Sequence, residues 1–202
     1  LNQKTLRHVL LPLGSFSKGE TRRMAEAYHL PVAHKAESQE ICFVPHDDYK
    51  AYLRDKRPLS VCSGEIVDLA GNVLGRHDGI AFYTIGQRKG LGIAAPQPLY
   101  VTALDAKENR VIVGTADDVY AQELTASDLN WTMWNVLQKT RTVQAKIRYG
   151  KREAEAVITP CGTECVQVHF SEPQRAVTKG QSVVFYENDI VLGGGVIDEV
   201  TA

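Results

Sequence analysis

The last third of the sequence alternates between apolar and polar residues, and this alternation constrains the fold more than any other feature. Along 143–149, the apolar or aromatic residues take every second position: Val143, Ala145, Ile147 and Tyr149. The positions between them are polar: Gln144, Lys146 and Arg148. Short alternating or apolar segments return at 166–170 and 183–192. Because a period of two places alternate side chains on opposite faces of a strand, we predict several short strands after Trp131 that form a small β-barrel or sandwich.

Two hairpins are predicted in the middle of the sequence. The stretch EIVDLAGNVLG has two strand-like pieces around a Gly71–Asn72 turn, and LYVTALDAKENRVIVG bends at 106–109. The polar and acidic stretch 115–128 then separates these hairpins from the alternating region. We therefore predict a central β-rich domain at 46–122 and a C-terminal antiparallel β-barrel at 123–202.

The first 45 residues have a different pattern, which is typical of an α/β domain. The apolar stretch 9–13, VLLPL, predicts a short buried strand. Ser17 and Glu20 have the spacing of a capping box, which predicts the start of a helix that ends before Pro31. Because a single strand–loop–helix unit cannot bury its own apolar surface, we interpret residues 1–45 as the end of a larger α/β domain.

One further short helix is predicted after this unit. Asp47 or Asp48 can cap it, Tyr49 lies on its apolar face, and it ends near Asp55, before Pro58. Helical periodicity is absent from the rest of the sequence. The predicted fold class is therefore mainly β with minor α.

Composition excludes several classes of protein. The chain has 202 residues, 44% of them hydrophobic, and a formal net charge of −1, so nothing global indicates nucleic-acid or membrane binding. No apolar run approaches the roughly 20 residues that span a bilayer, and the start does not have the pattern of a signal peptide. The first residue is Leu1 rather than methionine, so we expect the chain to be a fragment.

The chain has four cysteines: Cys42, Cys62, Cys161 and Cys165. They form no CxxC pair and no framework of the kind found in short secreted chains, so we expect a reducing, cytoplasmic location. Cys161 and Cys165 lack two further ligands at zinc-finger spacing, so no metal site is predicted. We expect Cys62, Cys161 and Cys165 to act as small apolar residues in β-rich surroundings.

The most unusual stretch is GIAFYTIGQRKGLGIAAP, residues 79–96. It holds three glycines around two cations: Gly86, Gly90 and Gly92 around Arg88 and Lys89. Glycines allow backbone amides to converge on an anion, and the two cations could help to hold it. The spacing matches neither GxGxxG nor a Walker loop, and the alternative is a glycine-rich connection between strands with solvated charges.

A second local concentration of charge lies at 139–152, KTRTVQAKIRYGKR, with six basic residues and no acidic one. On a strand, Lys146 and Arg148 would point the same way and could meet successive phosphates. Tyr149 could add stacking on an unpaired base. The alternative is a solvated outer face of the barrel.

Cys42, in SQEICFV, is either a buried packing residue or a reagent. A reactive cysteine needs a lowered pKa, which nearby cations, a histidine or a helix N-terminus can provide. His34 and Lys35 lie upstream, His46 lies downstream, and a helix is predicted just after it. These surroundings permit a reactive thiol without deciding for one.

Several stretches together resemble one family. They are PLGSFSKGETRRMAEAYHLPVAHKAESQEICFV, HDGIAFYTIGQRKGLGI, KIRY and AVTKGQSVVFYENDIVLGGGVI. The sequence resembles the central and C-terminal parts of the tRNA-specific 2-thiouridylases. The resemblance implies that residues 1–45 are the end of their α/β nucleotide-binding, ATP-pyrophosphatase-like catalytic domain. The resemblance covers nearly all of the chain, and ICFV together with GQRKGLGI is specific to the family.

The resemblance implies a reaction in which ATP, with Mg²⁺, activates the C2 carbonyl of the wobble uridine by adenylation, and a cysteine persulfide then supplies sulfur. Cys42 matches the family's cysteine in ICF, so the resemblance implies that it accepts sulfur from a persulfide sulfur-donor protein. The family's SGG-x-DS phosphate loop and its first catalytic cysteine are not in this sequence. We therefore expect no ATP site on this chain and no thiolation by the chain alone.

The resemblance also implies where tRNA binds. The family's C-terminal barrel is similar to domain 2 of elongation factors, and its tRNA contacts match Arg148 and Tyr149 in KIRY and Gln181 in KGQS. Arg88 and Lys89 of the glycine-rich stretch could contact RNA or brace the catalytic domain. Two alternatives to this enzyme part remain: a stand-alone RNA-binding barrel without catalysis, and an interaction domain whose basic strand docks an acidic protein.

Overall fold

The computed structural model describes residues 3–35, 44, 48–56, 61–150 and 152–201. Its helices are α1 Gln3–Leu6, α2 Lys18–Ala27 and α3 Tyr49–Lys56, with 3₁₀ turns at Ile80–Phe82 and Asp117–Val119. Strands form two sheets, one mixed and one closed into a barrel. The predicted fold class, mainly β with minor α and a C-terminal antiparallel barrel, is confirmed.

The central sheet consists of β1 Gly64–Asp68, β2 Val73–His77, β3 Tyr100–Asp105 and β4 Arg110–Gly114, in the order β2-β1-β4-β3. Both predicted hairpins are confirmed, since β1 pairs antiparallel with β2 and β3 pairs antiparallel with β4. In the first turn, the Asp68 carboxylate accepts hydrogen bonds from the N–H groups of Ala70 and Asn72 at 2.9 and 2.8 Å. β1 runs parallel to β4, which places Ile66 beside Val111 in the buried core of this sheet.

The barrel consists of β5 Tyr120–Trp131, β6 Arg141–Lys146, β7 Ala154–Pro160, β8 Val166–Arg175, β9 Ser182–Glu187 and β10 Ile190–Thr201. The strands are paired antiparallel in the closed order β10-β5-β8-β7-β6-β9. The alternation read from the sequence supplies its core: Val166, Val168 and Phe170 on β8 are fully buried, with polar residues between them. Closure leaves the barrel without the unpaired edges of an open sheet.

The predicted face of 143–149 is correct only up to residue 147. β6 ends at Lys146, and the chain then bends and turns through 147–150. Ile147 is still buried, but the side chain of Tyr149 is 100% exposed rather than part of the inward face. Arg148 therefore lies beyond the end of the strand that carries Lys146, which corrects the prediction of a shared strand face, but the two side chains line the same pocket on the outside of the barrel.

In the N-terminal segment, defined as residues 3–35, the helix prediction is confirmed and the strand prediction is wrong. α2 begins after Ser17, whose hydroxyl accepts from the N–H of Glu20 while the Glu20 carboxylate accepts from the Ser17 N–H. Residues 9–13 form no strand, and Leu10 and Leu11 are 89% and 76% exposed. A strand needs a neighbouring strand for its hydrogen bonds, and none of the described strands pairs with this stretch.

The second predicted helix is confirmed as α3, which begins at Tyr49. The Asp48 carboxylate accepts a hydrogen bond from the Ala51 N–H at 2.9 Å, as predicted for a capping residue, and Asp47 lies outside the described residues. The domain boundaries after residues 45 and 122 remain predictions. β5 begins at Tyr120 and pairs with barrel strands along the polar stretch that suggested the second boundary.

Candidate nucleic-acid interface

A groove on the outside of the barrel brings the three predicted tRNA-binding residues together. This outer groove has a volume of about 780 Å³, and its lining includes Lys146, Arg148, Tyr149, Gln181, Ser182 and Tyr186. Arg148 and Tyr149 come from the turn after β6, whereas Gln181 comes from the turn before β9. Residues more than 30 positions apart in the sequence thus meet because β6 and β9 are neighbours in the barrel.

The pairing of β6 with β9 determines which side chains reach the outer groove. Ala145 lies opposite Phe185, and both are buried in the barrel core. Side chains alternate along a strand, so Lys146 and its partner Val184 point outward, and so does Tyr186. Sequence reasoning had not singled out Tyr186, although its outward position on the VVFY strand was a usable signal.

Tyr149 and Gln181 are held in the groove by turns. The fully exposed ring of Tyr149 gains little from folding, because burial of apolar area is what stabilises an aromatic side chain. The turn that carries Gln181 is fixed to β10, since the Gly180 N–H donates to the Ile197 carbonyl and the Ile197 N–H donates to the Gln181 carbonyl, each at 2.8 Å. The lining of the outer groove therefore includes an exposed aromatic ring and the side chain of Gln181, whose backbone is anchored to β10.

Lys146 is paired with an acidic residue that lies just outside the basic run. Its Nζ lies 2.8 Å from Oε1 of Glu153. The hydrogen bond to Glu153 raises the pKa of Lys146, and the same bond lowers the pKa of Glu153. An exposed pair of this kind contributes little to stability, and a phosphate can compete for the ammonium group.

Arg148 connects the barrel to the glycine-rich stretch of the central sheet. Its Nη2 donates to the carbonyl of Ile85 at 3.3 Å and to Oγ1 of Thr178 at 3.4 Å. Thr178 in turn donates to the carbonyl of Ala176 at 2.9 Å. A guanidinium group has five N–H donors, so these contacts leave donor capacity for a second ligand. The predicted phosphate contact of Arg148 stays a prediction, and its contact with Ile85 is an addition to it.

The glycine-rich stretch is built as a connection that packs against the barrel. The Gly86 N–H donates to the Val101 carbonyl at 2.7 Å, and the side chain of Gln87 accepts from Thr84 N–H and donates to the Lys89 carbonyl, both at 3.0 Å. Gly86 has φ +83°, and a Cβ there would lie 2.7 Å from the Cβ of Ala176. These polar groups are already hydrogen-bonded within the chain. The geometry therefore favours the interpretation of this stretch as a connection between strands over its interpretation as an anion-binding loop.

Arg88 and Lys89, in the same loop, are exposed. Because Arg88 follows Ile85 by three residues, it lies within about 11 Å of the carbonyl that Arg148 contacts. Arg88 lines a separate pocket with residues 90–99 of the same loop. The contact of Arg88 and Lys89 with RNA or with another domain stays a prediction.

Three family models match consecutive parts of the chain. They are described as the tRNA methyl transferase HUP domain, over residues 1–46, the tRNA methyl transferase PRC-barrel domain, over 50–115, and the aminomethyltransferase beta-barrel domain, over 121–197. The third match covers nearly all of the barrel that carries the outer groove.

Similar proteins have a name that refers to thiolation rather than to methyl transfer. The tRNA-specific 2-thiouridylase MnmA 1 of Caldanaerobacter subterraneus subsp. tengcongensis is 51% identical over 199 residues, which is 98% of this chain and 55% of the relative. The tRNA-specific 2-thiouridylases MnmA of Acetivibrio thermocellus and Moorella thermoacetica are 49% and 48% identical, again over 98% of this chain and over 55% and 56% of the relatives.

The chain belongs to the tRNA-specific 2-thiouridylase family. The resemblance inferred from ICFV, GQRKGLGI and KIRY is confirmed by identity near 50% along almost the whole chain. The chain spans about 55% of the length of the curated relatives that it matches.

The cysteines of the chain divide into three cases. Cys42 lies outside the described residues, so its role stays a prediction. Cys161 and Cys165 form a disulfide, with their Cα atoms 5.2 Å apart, across the loop between β7 and β8. Cys62 is exposed. The prediction that the last three are small apolar packing residues was wrong, because none of them belongs to the buried core.

The expected absence of an ATP site from this chain stays a prediction, and two described features bear on it. The N-terminus of α2 is occupied by the carboxylate of Glu20, which would repel an anion there. The Gly86 amide is engaged with Val101, as described above. Among the described residues, no group of three His, Cys, Asp or Glu side chains is placed to hold a metal ion, and no helix is long and apolar enough to cross a membrane.

Proposed function

We propose that this chain is the tRNA-docking and sulfur-accepting part of an enzyme that replaces the C2 oxygen of the wobble uridine of tRNA with sulfur. One observation carries the proposal: Arg148, Tyr149 and Gln181, assigned from the resemblance alone, line one groove. A cation, an exposed aromatic ring and an amide are the groups that contact phosphates, stack on unpaired bases and bond to base edges. The names of the relatives supply the substrate, tRNA, and the thiolation.

In the proposed reaction, Cys42 carries the sulfur. Its thiolate attacks the terminal sulfur of a persulfide on a donor protein, the donor's sulfur–sulfur bond breaks, and the donor leaves as a thiolate. The terminal sulfur of the Cys42 persulfide then attacks C2 of the activated uridine, and AMP leaves with the former C2 oxygen. The thiolate of a second cysteine, the family's first catalytic cysteine, attacks Sγ of Cys42 and breaks the sulfur–sulfur bond, so 2-thiouridine is released and the two cysteines are left as a disulfide. ATP, with Mg²⁺, supplies the activation of the C2 oxygen as an adenylate. A uridine stacked in the anticodon loop would hide C2, so the base must leave its stack to react.

The outer groove serves this reaction by positioning tRNA rather than by chemistry. Phosphate contacts fix the orientation of a bound nucleic acid without reading its sequence. The link from Arg148 to Ile85 joins the RNA-binding side of the barrel to the central sheet. Because mature tRNA is used in the cytoplasm, we also propose a cytoplasmic location.

A barrel that binds RNA without catalysis is a weaker candidate. It would explain the outer groove, but it gives no role to residues 1–46. That stretch matches the HUP-domain model, and the relatives match almost the whole chain. In the proposed function, the complete HUP domain of the family binds ATP, so the presence of its last part in this chain favours an enzyme over a barrel that only binds RNA.

The test of the proposal uses the full-length protein and its Cys42→Ser variant, with nucleoside mass spectrometry of the product tRNA. We expect the variant to form no 2-thiouridine and to bind tRNA as the wild type does, because only the sulfur carrier is lost. Cys62→Ser is the matched control, and we expect it to remain active. Thiolation by Cys42→Ser at a level close to wild type would contradict the proposal.

A further inference from the structure

The outer groove contains a second tyrosine that the comparison with the family did not indicate. Tyr186 lies on β9 opposite Gln144, and its side chain points away from the core because its neighbour Phe185 is fully buried. Lys146 pairs with Val184, so Tyr186 is the diagonal neighbour of Lys146 on the same outer face. Diagonal neighbours of this kind lie within about 7–8 Å, which is within reach of long side chains.

Tyr149 is close to the same lysine. Besides the dominant hydrogen bond to Glu153, the phenols of Tyr186 and Tyr149 both act electrostatically to raise the pKa of Lys146. Two aromatic rings therefore lie near one ammonium group, along the same groove of about 780 Å³. That volume is within the range of about 300–1,000 Å³ typical of small-molecule sites.

The remaining polar groups of the groove suit the edge of a nucleobase. Gln181 has both a donor and an acceptor in its amide, and Ser182 has a hydroxyl that can take either role. Both residues line the groove next to the tyrosines. An aliphatic or peptide ligand would make little use of two aromatic faces beside a cation, whereas a nucleotide uses the rings, the polar edge groups and the cation together.

We propose that Tyr149 and Tyr186 hold an unpaired nucleobase of the bound RNA by stacking, with Gln181 and Ser182 bonding to its edge and Lys146 to its phosphate. The inference rests on the proposed function and deepens it, because it names Tyr186 as a binding residue and an unpaired nucleotide as the ligand. A base in an A-form duplex has its faces covered by its neighbours, so only an unpaired or extruded base can use this subsite.

The test measures fluorescence anisotropy of two labelled RNAs with the 202-residue chain. One RNA is a hairpin with unpaired loop nucleotides, and the other is a blunt duplex with the same number of nucleotides. We expect the hairpin to bind more tightly. Tyr186→Ala should weaken hairpin binding about 5- to 150-fold, the range for loss of one base–aromatic stack, and leave duplex binding and the salt slope unchanged.

Two control variants make this result specific. Tyr186→Phe keeps the ring, so it should bind the hairpin as the wild type does. Tyr120→Ala removes a half-exposed tyrosine of β5 that is outside the outer groove, and it should also bind normally. The fluorescence of Trp131, whose ring stacks on Phe185 at 5.5 Å between centroids, reports whether Tyr186→Ala still folds.

The outcomes separate this inference from the proposed function. A folded Tyr186→Ala protein that binds the hairpin like the wild type overturns the subsite and leaves RNA docking intact. Equal weakening of hairpin and duplex binding also overturns it, since the residue would then act without an unpaired base. A wild-type chain that binds neither RNA but binds an acidic peptide overturns both proposals in favour of a protein-docking surface.

Discussion

The N-terminal segment and the barrel use similar apolar residues in opposite ways. In the barrel, side chains such as Phe170 and Phe185 have no exposed surface, and every strand has two neighbours. In the N-terminal segment, α1 and α2 bury no residue, and Leu10 is 89% exposed. The difference shows that local helix signals produce a helix without producing a core, whereas alternating strands that close on themselves produce both.

A contact between the two regions exists, but it is polar. The side-chain amide of Gln3 donates to the carbonyl of Thr132, just after β5. Exposed leucines at 10 and 11 form an apolar surface of the kind that usually packs against another protein surface. Because these leucines are exposed rather than packed on the barrel, we expect the barrel to fold independently of the N-terminal segment.

The largest expected effect is on the barrel core. Phe170→Ala should lower the free energy of unfolding of the barrel by about 3–5 kcal/mol, because a fully buried ring leaves a cavity. The matched control is Phe16→Ala in the N-terminal segment, where the ring is exposed and the change should stay within about 0.5 kcal/mol. Urea unfolding followed by fluorescence of Trp131 and Trp134 measures both. Similar losses in the two variants would contradict the contrast between the regions.

A smaller effect is expected for His77 in the central sheet. Its ring is buried, Nε2 lies 3.1 Å from the Asn109 carbonyl, and Nδ1 accepts from the Gly79 N–H at 3.1 Å. His77→Leu would leave the Asn109 carbonyl and the Gly79 N–H without this hydrogen-bond partner, which should lower the free energy of unfolding by about 2–3 kcal/mol. Hydrogen exchange should then accelerate at the amides of β1 and β4 and stay unchanged in the barrel. Acceleration of equal size in the barrel would mean that the two sheets unfold together.

Much of the fold could be predicted from the sequence because its signals are local. The alternation in 166–170 and the capping box at Ser17 depend on neighbouring residues alone. The apolar stretch 9–13 was misassigned because a strand is defined by its partner, and a short apolar run does not contain that information. In the outer groove, KIRY supplied Arg148 and Tyr149, but Tyr186 could be added only once the pairing of β6 with β9 was known.

The contacts of Lys146 and Arg148 could not be predicted from the sequence. The basic run suggested two cations on one strand face, yet one is paired with Glu153 and the other reaches Ile85 across to the central sheet. Both contacts depend on where β6 ends and on the path of the following turn. Neither has a sequence signature.

The smallest stability effect is expected at the cap of α2. Ser17→Ala should destabilise the helix by about 1 kcal/mol. The hydrogen bonds from the Ser17 side chain and backbone lower the pKa of Glu20 below its usual 4.5, so their contribution is present above that pH and is lost as the pH falls through the lowered pKa. NMR chemical shifts of α2 in wild type and variant should therefore converge on acidification, while barrel shifts do not. Identical pH profiles for the two proteins would show that the cap contributes nothing.

The central claim, that RNA docks in the outer groove, is tested most directly by tRNA affinity measured at several salt concentrations. Arg148→Ala should lower affinity and reduce the slope of log affinity against log salt by about 0.7–0.9, as expected for one lost phosphate contact. Gln181→Ala should lower affinity with little change in slope, since no charge is removed. Arg110→Ala, which removes an exposed arginine paired with Glu65 on the central sheet, is the control and should match the wild type. Wild-type affinity and slope for Arg148→Ala would contradict the claim.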